Sequence, residues 1–149
     1  MSQVIVTDSA APSSRLSLGL AVLRIIVGIV FAVHGYEKLF VQTIPGVTGF
    51  FTQIGAPLPG LTAPLVSVLE FAGGIMLILG VLTPVVGALL ALDMLGALFL
   101  VHLANGFSAQ NGGYEYVLTL FAASLALALA GPGAYALDRA IFGRSGSRS

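Results

Sequence analysis

The stretch RIIVGIVFAVHGYEKLF, from Arg24 to Phe40, is apolar enough for a membrane helix and yet contains an arginine, a histidine, a glutamate and a lysine. The whole apolar run, about Leu16 to Leu39, would extend ~36 Å as a helix, which exceeds the ~30 Å hydrocarbon core of a bilayer. Charged side chains are costly in hydrocarbon, so those of this stretch need partners elsewhere in the chain. The sequence therefore predicts a retained membrane anchor, rather than a cleaved signal peptide, and a buried polar network.

The composition of the 149-residue chain is that of an integral membrane protein. Charged residues make up 8% of it, hydrophobic residues 57%, and the mean hydropathy is +1.03, whereas about 25% of an ordinary soluble domain is charged. A formal net charge of zero gives no basis for binding nucleic acid. Because cysteine is absent, disulfide, thiolate–metal and iron–sulfur chemistry are excluded, and a redox role would need a borrowed cofactor.

Three further apolar segments predict an all-α fold, an antiparallel bundle of four transmembrane helices. These segments run from about Pro64 to Leu82, Val85 to Leu103 and Tyr114 to Ala130. Between the first and second spans, a short amphipathic helix is expected to lie on the membrane surface, although a connecting turn is the alternative. Its apolar face is formed by Val47, Phe50, Phe51 and Ile54. Residues 15–133 are then the membrane domain, residues 1–14 a flexible tail and residues 134–149 a basic tail.

Basic residues are concentrated on one side of this predicted bundle. Arg15 precedes the first span and Arg139, Arg144 and Arg148 follow the last, whereas the opposite side has Lys38. The positive-inside rule therefore predicts that both termini are cytoplasmic.

The same topology brings most of the ionisable residues into the outer half of the bundle. Arg24 lies deeper and is expected to pair with Glu70 or Asp93, and the sequence does not decide between them. This network is either a clamp that fixes helix register or the wall of a polar ligand pocket. The candidate residues for it are Arg24, His34, Glu37, Lys38, Glu70, Asp93, His102, Asn111, Tyr114 and Glu115.

The two histidines, His34 and His102, are both expected near the outer surface. No short metal-ligand spacing such as HxxxH or HExxH occurs, so no metal site is predicted. Together with Tyr114 and Asn111, the histidines could instead bind the carbonyl oxygens of a quinone ring, which needs donors at two ends of an apolar slot.

Five ordered motifs resemble the DoxX family of small bacterial inner-membrane proteins, from Arg15 to Asp138. They are R-x-x-x-G-x-x-F-x-x-H-G-x-x-K-L at Arg24 to Leu39, F-F-x-x-I-G-x-P-x-P at Phe50 to Pro59, E-x-x-G-G-x-x-L-x-x-G at Glu70 to Gly80, N-G-G-Y-E-Y at Asn111 to Tyr116, and G-P-G-x-x-x-L-D at Gly131 to Asp138. The resemblance implies a four-helix bundle in the bacterial inner membrane and a link to membrane oxidoreductase systems. Some relatives are named after the membrane part of a thiosulfate:quinone oxidoreductase, and others are grouped with assemblies that handle oxidative stress or thiols. The absence of cysteine argues against an intrinsic thiol role.

The residues and the resemblance together favour a subunit or accessory factor of a quinone-linked membrane oxidoreductase, without catalytic activity of its own. No intrinsic cofactor is expected, and quinone is the cofactor that the chain could bind. The expected partners are membrane lipids and oxidoreductase subunits. The alternatives are a transport module for a small solute, a lipid or protons, and a purely structural scaffold. Homo-oligomers are compatible with the small-residue stripes, which allow close helix approach within one bundle or between copies. These stripes contain Gly87, Ala91, Ala122, Ala126 and Ala130.

Overall fold

The computed structural model describes residues 13–142, so most of the predicted flexible tail (residues 1–14) and the last part of the basic tail (residues 143–149) lie outside the described residues. Within residues 13–142 the chain is helical and has no strand, which confirms the all-α prediction. The helices are α1 (Ser14–Tyr36), α2 (Thr43–Gln53), α3 (Pro59–Leu79), α4 (Thr83–Ala97), α5 (Glu115–Ala130) and α6 (Leu137–Phe142). Helices α1 and α4 each continue through a π-helical turn, at Glu37–Val41 and Leu98–His102.

Three continuous helical stretches are long and apolar enough to cross a membrane. They are Ser14–Val41, Pro59–Leu79 and Thr83–Asn105. Helix α5 is also apolar, but its 16 residues are fewer than the ~20 that usually span the hydrocarbon core. The fourth span therefore stays a prediction, as does the position of α2 on the membrane surface.

Helix α1 packs mainly against α3 through glycines on both helices. A Cβ added to Gly28 would lie 2.6 Å from the carbonyl oxygen of Gly74, and one added to Gly35 would overlap the backbone of Phe71. Glycine is needed here because the two backbones approach too closely for any side chain.

Helix α4 packs mainly against α5. A Cβ added to Gly87 would lie 2.8 Å from the carbonyl oxygen of Ser124, so this seam also depends on a glycine. The hydrophobic core lies between the two helix pairs, and its most deeply buried side chains include Phe31, Leu77, Leu90 and Leu127.

Helix α3 begins at Pro59, five residues earlier than the predicted start at Pro64, and contains Pro64 within its length. Pro59 lies in the first turn, where a missing N–H group costs no hydrogen bond. Pro64 does remove one backbone donor, but the helix continues through it.

The segment after α5 is part of the fold, although the sequence predicted a tail from residue 134. Ala136 is buried, and the backbone N–H of Asp138 donates to the carbonyl oxygen of Gly80 at 3.2 Å. Gly133 lies against Ser17 at the start of α1. The segment between α5 and α6 therefore packs against the C-terminal end of α3 and the start of α1.

Candidate functional site

Lys38 and Glu70 form an ion pair between the π-helical turn after α1 and the middle of α3. The Lys38 Nζ donates to Glu70 Oε2 at 2.5 Å. The side chain of Glu70 is only 5% exposed and that of Lys38 is 21% exposed. Such a pair is shielded from water, so losing one partner would leave a buried charge without compensation.

Asp93 of α4 is a third ionisable residue beside the ion pair of Lys38 and Glu70. Its carboxyl group lies on the same cavity wall as Glu70 and Lys38 and is close enough to both for their charges to interact. The Asp93 Oδ2 atom is buried and has no hydrogen-bond partner in the described part of the chain. We call Lys38, Glu70 and Asp93 the polar triad; it connects three successive membrane helices.

The polar triad lies on the wall of a partly open cavity of about 790 Å³ between α2, α3 and α4. The rest of the wall is mostly apolar and includes Phe50, Phe51, Val66, Leu92, Gly96 and Phe99. Phe50 and Phe51 belong to the amphipathic face predicted for α2, and Val47 of that face is fully buried. Helix α2 therefore covers one side of the cavity with its apolar face.

Both π-helical turns contribute to this cavity. Lys38 lies in the first turn, and Val101 and His102 lie in the second. A π-helical turn inserts extra backbone and re-aims the side chains after it, and such turns are frequent at functional sites. The two basic side chains of the cavity wall, Lys38 and His102, are thus both positioned by local departures from α-helical geometry.

Arg24 does not pair with Glu70 or Asp93, so that expectation is wrong. Its Nη1 donates to the carbonyl oxygens of Leu77 (3.0 Å) and Ile78 (2.8 Å), and its Nη2 donates to that of Tyr135 (2.7 Å). Lys38 and Arg24 are on the same face of α1, but they lie roughly 21 Å apart at 1.5 Å per residue. Arg24 therefore reaches the C-terminal end of α3, where carbonyl groups lack helical partners and the helix dipole favours a cation.

His34 and Glu37 lie outside the cavity wall. The His34 Nδ1 atom is 3.9 Å from Glu37 Oε2, and their side chains are 44% and 50% exposed. The His34 ring lies beside that of Tyr116, with 6.2 Å between ring centroids. This face of α1 thus points toward α5, away from the polar triad.

The remaining candidates hold the loop between α4 and α5 in place. The His102 Nδ1 atom is 2.7 Å from the carbonyl oxygen of Gly112, and Glu115 Oε1 accepts from the backbone N–H of Ala109 at 2.6 Å. Tyr114 packs edge-on against Phe107, with ring centroids 5.5 Å apart, and Asn111 is exposed. Of the four residues expected to bind a quinone ring, His34, His102, Asn111 and Tyr114, the cavity wall includes His102.

No group of three or more histidines and carboxylates within residues 13–142 could hold a metal ion.

Sequence reasoning missed the pairing of Lys38 with Glu70. The sequence did contain a signal for this pairing. Gly28, Gly35 and Lys38 recur with helical spacing on one face, and the glycines of that face contact α3, which carries Glu70.

The family model named DoxX matches residues 19–103, a range that contains the polar triad and all the residues of the cavity wall. The chain belongs to the DoxX family. A Bacillus subtilis relative, named "Putative oxidoreductase CatD", is 38% identical over 125 residues, which cover 84% of this chain and 88% of the relative. The "Inner membrane protein YqjF" of Escherichia coli is 33% identical over 122 residues, which cover 82% of this chain and 91% of the relative.

A Mycobacterium tuberculosis relative, named "Uncharacterized membrane protein Rv3486", is 31% identical over 156 residues, with 94% of this chain and 95% of the relative covered. No solved structure matches the chain. The names of these DoxX relatives and the long apolar helices agree that this is a membrane protein. The orientation of its termini stays a prediction.

Proposed function

We propose that this DoxX-family protein is a membrane subunit or accessory factor of a quinone-linked oxidoreductase, and that it binds a quinone in the cavity beside the polar triad. The observation that carries the proposal is an apolar cavity of about 790 Å³ with Lys38, Glu70 and Asp93 on its wall. Ligand pockets in proteins typically enclose roughly 300–1,000 Å³ and combine an apolar lining with a few polar groups that fix orientation. A quinone ring with the first part of its apolar tail has this size and this distribution of polarity.

The polar triad supports ligand binding over a purely structural clamp. One ion pair would suffice to fix the register of α1 against α3, yet a second carboxyl group, that of Asp93 on α4, lies on the same cavity wall. Ionisable groups inside a membrane domain are costly and usually mark a functional site.

Because the chain has no cysteine, it cannot supply thiol or iron–sulfur redox chemistry of its own, and we assign the redox step to a partner subunit. A quinone bound here would be held in place for electron exchange with that partner. The name of the relative "Putative oxidoreductase CatD" also supports a redox context.

Filling the cavity should abolish quinone binding without disturbing the polar triad. Gly96 lines the cavity, and a Cβ at this position would meet no atom within 4 Å, so Gly96→Phe can place its ring in the empty space. We expect quinone retained by protein purified in native membrane particles to fall at least about tenfold, which corresponds to about 1.4 kcal/mol. The measurement is extraction followed by quantitative mass spectrometry.

The matched control for this experiment is Gly19→Phe. Gly19 is exposed on α1, has the same open surroundings and lies away from the cavity. The control should retain quinone as the unchanged protein does. Absence of quinone from the unchanged protein, or equal retention by Gly96→Phe, would contradict the proposal. Solute, lipid or proton flux in liposomes without quinone binding would favour a transport module instead.

A further inference from the structure

The cavity beside the polar triad is open along a row of large apolar side chains. Five such residues belong to its wall and are nevertheless between 42% and 66% exposed: Phe50, Leu89, Leu92, Phe99 and Leu100. We call these five residues the rim. Phe50 belongs to α2, and the other four belong to α4 and the π-helical turn that continues it. The opening is therefore bordered by α2 on one side and by α4 on the other.

The packing of α2 leaves this gap uncovered. Within residues 13–142, α2 packs against α3 and against the π-helical turn Glu37–Val41, and α4 is not among its packing partners. Helix α2 is thus fixed to the cavity on the side of α1 and α3, and the side toward α4 stays free. The gap between α2 and α4 is consequently a feature of the fold.

The gap faces the hydrocarbon of the bilayer. Leu92 and Phe99 lie within Thr83–Asn105, a helical stretch long and apolar enough to cross a membrane. With Leu89 they follow one side of the helix for roughly 15 Å at 1.5 Å per residue. Gly96 lies between Leu92 and Phe99 on the cavity wall, and a Cβ there would meet no atom within 4 Å, so this side has room for an apolar chain.

The end of the cavity beside the loop between α2 and α3 is different. Ala56 of that loop is buried. The Thr62 hydroxyl donates to the carbonyl oxygen of Pro57 at 3.0 Å, and the His102 Nδ1 atom lies 2.7 Å from the carbonyl oxygen of Gly112. The polar side chains at this end are therefore engaged with the backbone, whereas the exposed rim is entirely apolar. An apolar rim matches lipid, since a mouth that opens to water normally carries polar groups.

We infer that the ligand of this cavity is a ring lipid with a long apolar chain, which enters sideways from the bilayer between α2 and α4. This inference rests on the proposed function and specifies the class of quinone and its route. The ring reaches the polar triad, and the chain passes over Leu92 and Phe99 into the hydrocarbon. The chain exchanges places with lipid chains in the gap, and binding requires no bond to be made or broken.

The test closes the gap with one chemical link. Because the chain has no cysteine of its own, Phe50→Cys combined with Phe99→Cys provides the only two thiols, one on each side of the gap. The double variant in lipid nanodiscs is treated with reducible bis-thiol reagents of increasing spacer length, and mass spectrometry confirms the link. The probe is ubiquinone with its full isoprenoid chain.

We expect a link made in the empty protein to slow ubiquinone uptake at least about tenfold, because it bars the route of entry. A link made after loading should slow release to a similar extent, and reduction should restore both rates. The matched control is Val22→Cys combined with Ile26→Cys on α1, two equally exposed positions one helical turn apart and outside the cavity wall. The same reagents should leave its rates unchanged.

The outcomes separate this inference from the proposed function. If the linked protein takes up and releases ubiquinone as fast as the unlinked protein, or if no spacer joins the two thiols, the route between α2 and α4 is overturned and quinone binding stands. If the unchanged protein binds no ubiquinone, the proposed function falls as well.

A second measurement on the unchanged chain decides the inference even where the double variant does not fold or does not bind. A ubiquinone analogue with a diazirine on the part of the chain next to the ring should label Leu92 and Phe99, and unlabelled ubiquinone should suppress this labelling. Labelling confined to Pro57, Thr62 and His102 would place the chain at the other end of the cavity and overturn the inference.

Discussion

Replacing Gly35 by alanine is expected to destabilise the bundle by roughly 3 kcal/mol or more, the upper end of the usual cost of overpacking. The added Cβ would overlap the backbone nitrogen and Cα of Phe71 on α3. A flexible side chain could rotate away, but a helix backbone cannot, so α1 would have to move away from α3. That movement would also lengthen the contact between Lys38 and Glu70 just beyond it.

The matched control is Gly19→Ala on the same helix. A Cβ at Gly19 meets no atom within 4 Å, and alanine has a higher helix propensity than glycine. Thermal unfolding in detergent should therefore show a large drop in Tm for Gly35→Ala and no drop for Gly19→Ala. Equal Tm values for the two variants would contradict the packing of α1 on α3 described above.

Replacing Lys38 by methionine should destabilise the protein by about 3–5 kcal/mol, the cost typical of breaking a buried ion pair by removing one partner. Methionine keeps the length and the apolar stem of the side chain but leaves Glu70 buried, 5% exposed, without its cation. Two facing carboxyl groups, those of Glu70 and Asp93, would then remain with no positive charge beside them. Thermal unfolding measures the loss, and Glu37→Gln, half-exposed in the same π-helical turn, should have little effect.

The double substitution Lys38→Met with Glu70→Leu separates a structural clamp from a ligand site. Removing both charges should restore most of the stability, because well-packed apolar residues often replace a buried ion pair without loss. Quinone binding should stay weak, since Asp93 is then the one member of the polar triad left on the cavity wall. A double variant that is stable and still binds quinone as the unchanged protein does would show that the ion pair serves packing alone.

Much of the fold could be predicted because it depends on local patterns. The glycines of α1 recur with helical spacing, so the face that contacts α3 is visible in the sequence. The apolar face of α2 follows the same periodicity, and its covering of the cavity is consistent with that pattern.

The partners of the charged residues could be predicted less well than the helices, for two physical reasons. The donors of Arg24 reach backbone carbonyl groups, which every residue carries and which therefore leave no signal in the sequence. With the predicted span start at Pro64, Glu70 would lie six residues into the helix, whereas α3 begins at Pro59. Five additional residues shift that depth by roughly 7.5 Å at 1.5 Å per residue. The π-helical turn at Lys38 changes the direction of this side chain further, and the hydrophobic pattern of the sequence does not indicate such a turn.

Photolabelling of the membrane-embedded chain with an azido-substituted quinone, followed by peptide mapping, tests most directly whether a ligand occupies the cavity beside the polar triad. If the cavity beside the polar triad is the ligand site, the label should attach to its wall, at Phe50 and Phe51 of α2 and at residues 92–99. An excess of unlabelled quinone should suppress this attachment. Labelling of exposed apolar residues away from the cavity, such as Leu18, Ile26 and Leu129, without competition by the unlabelled ligand would contradict ligand binding in this cavity.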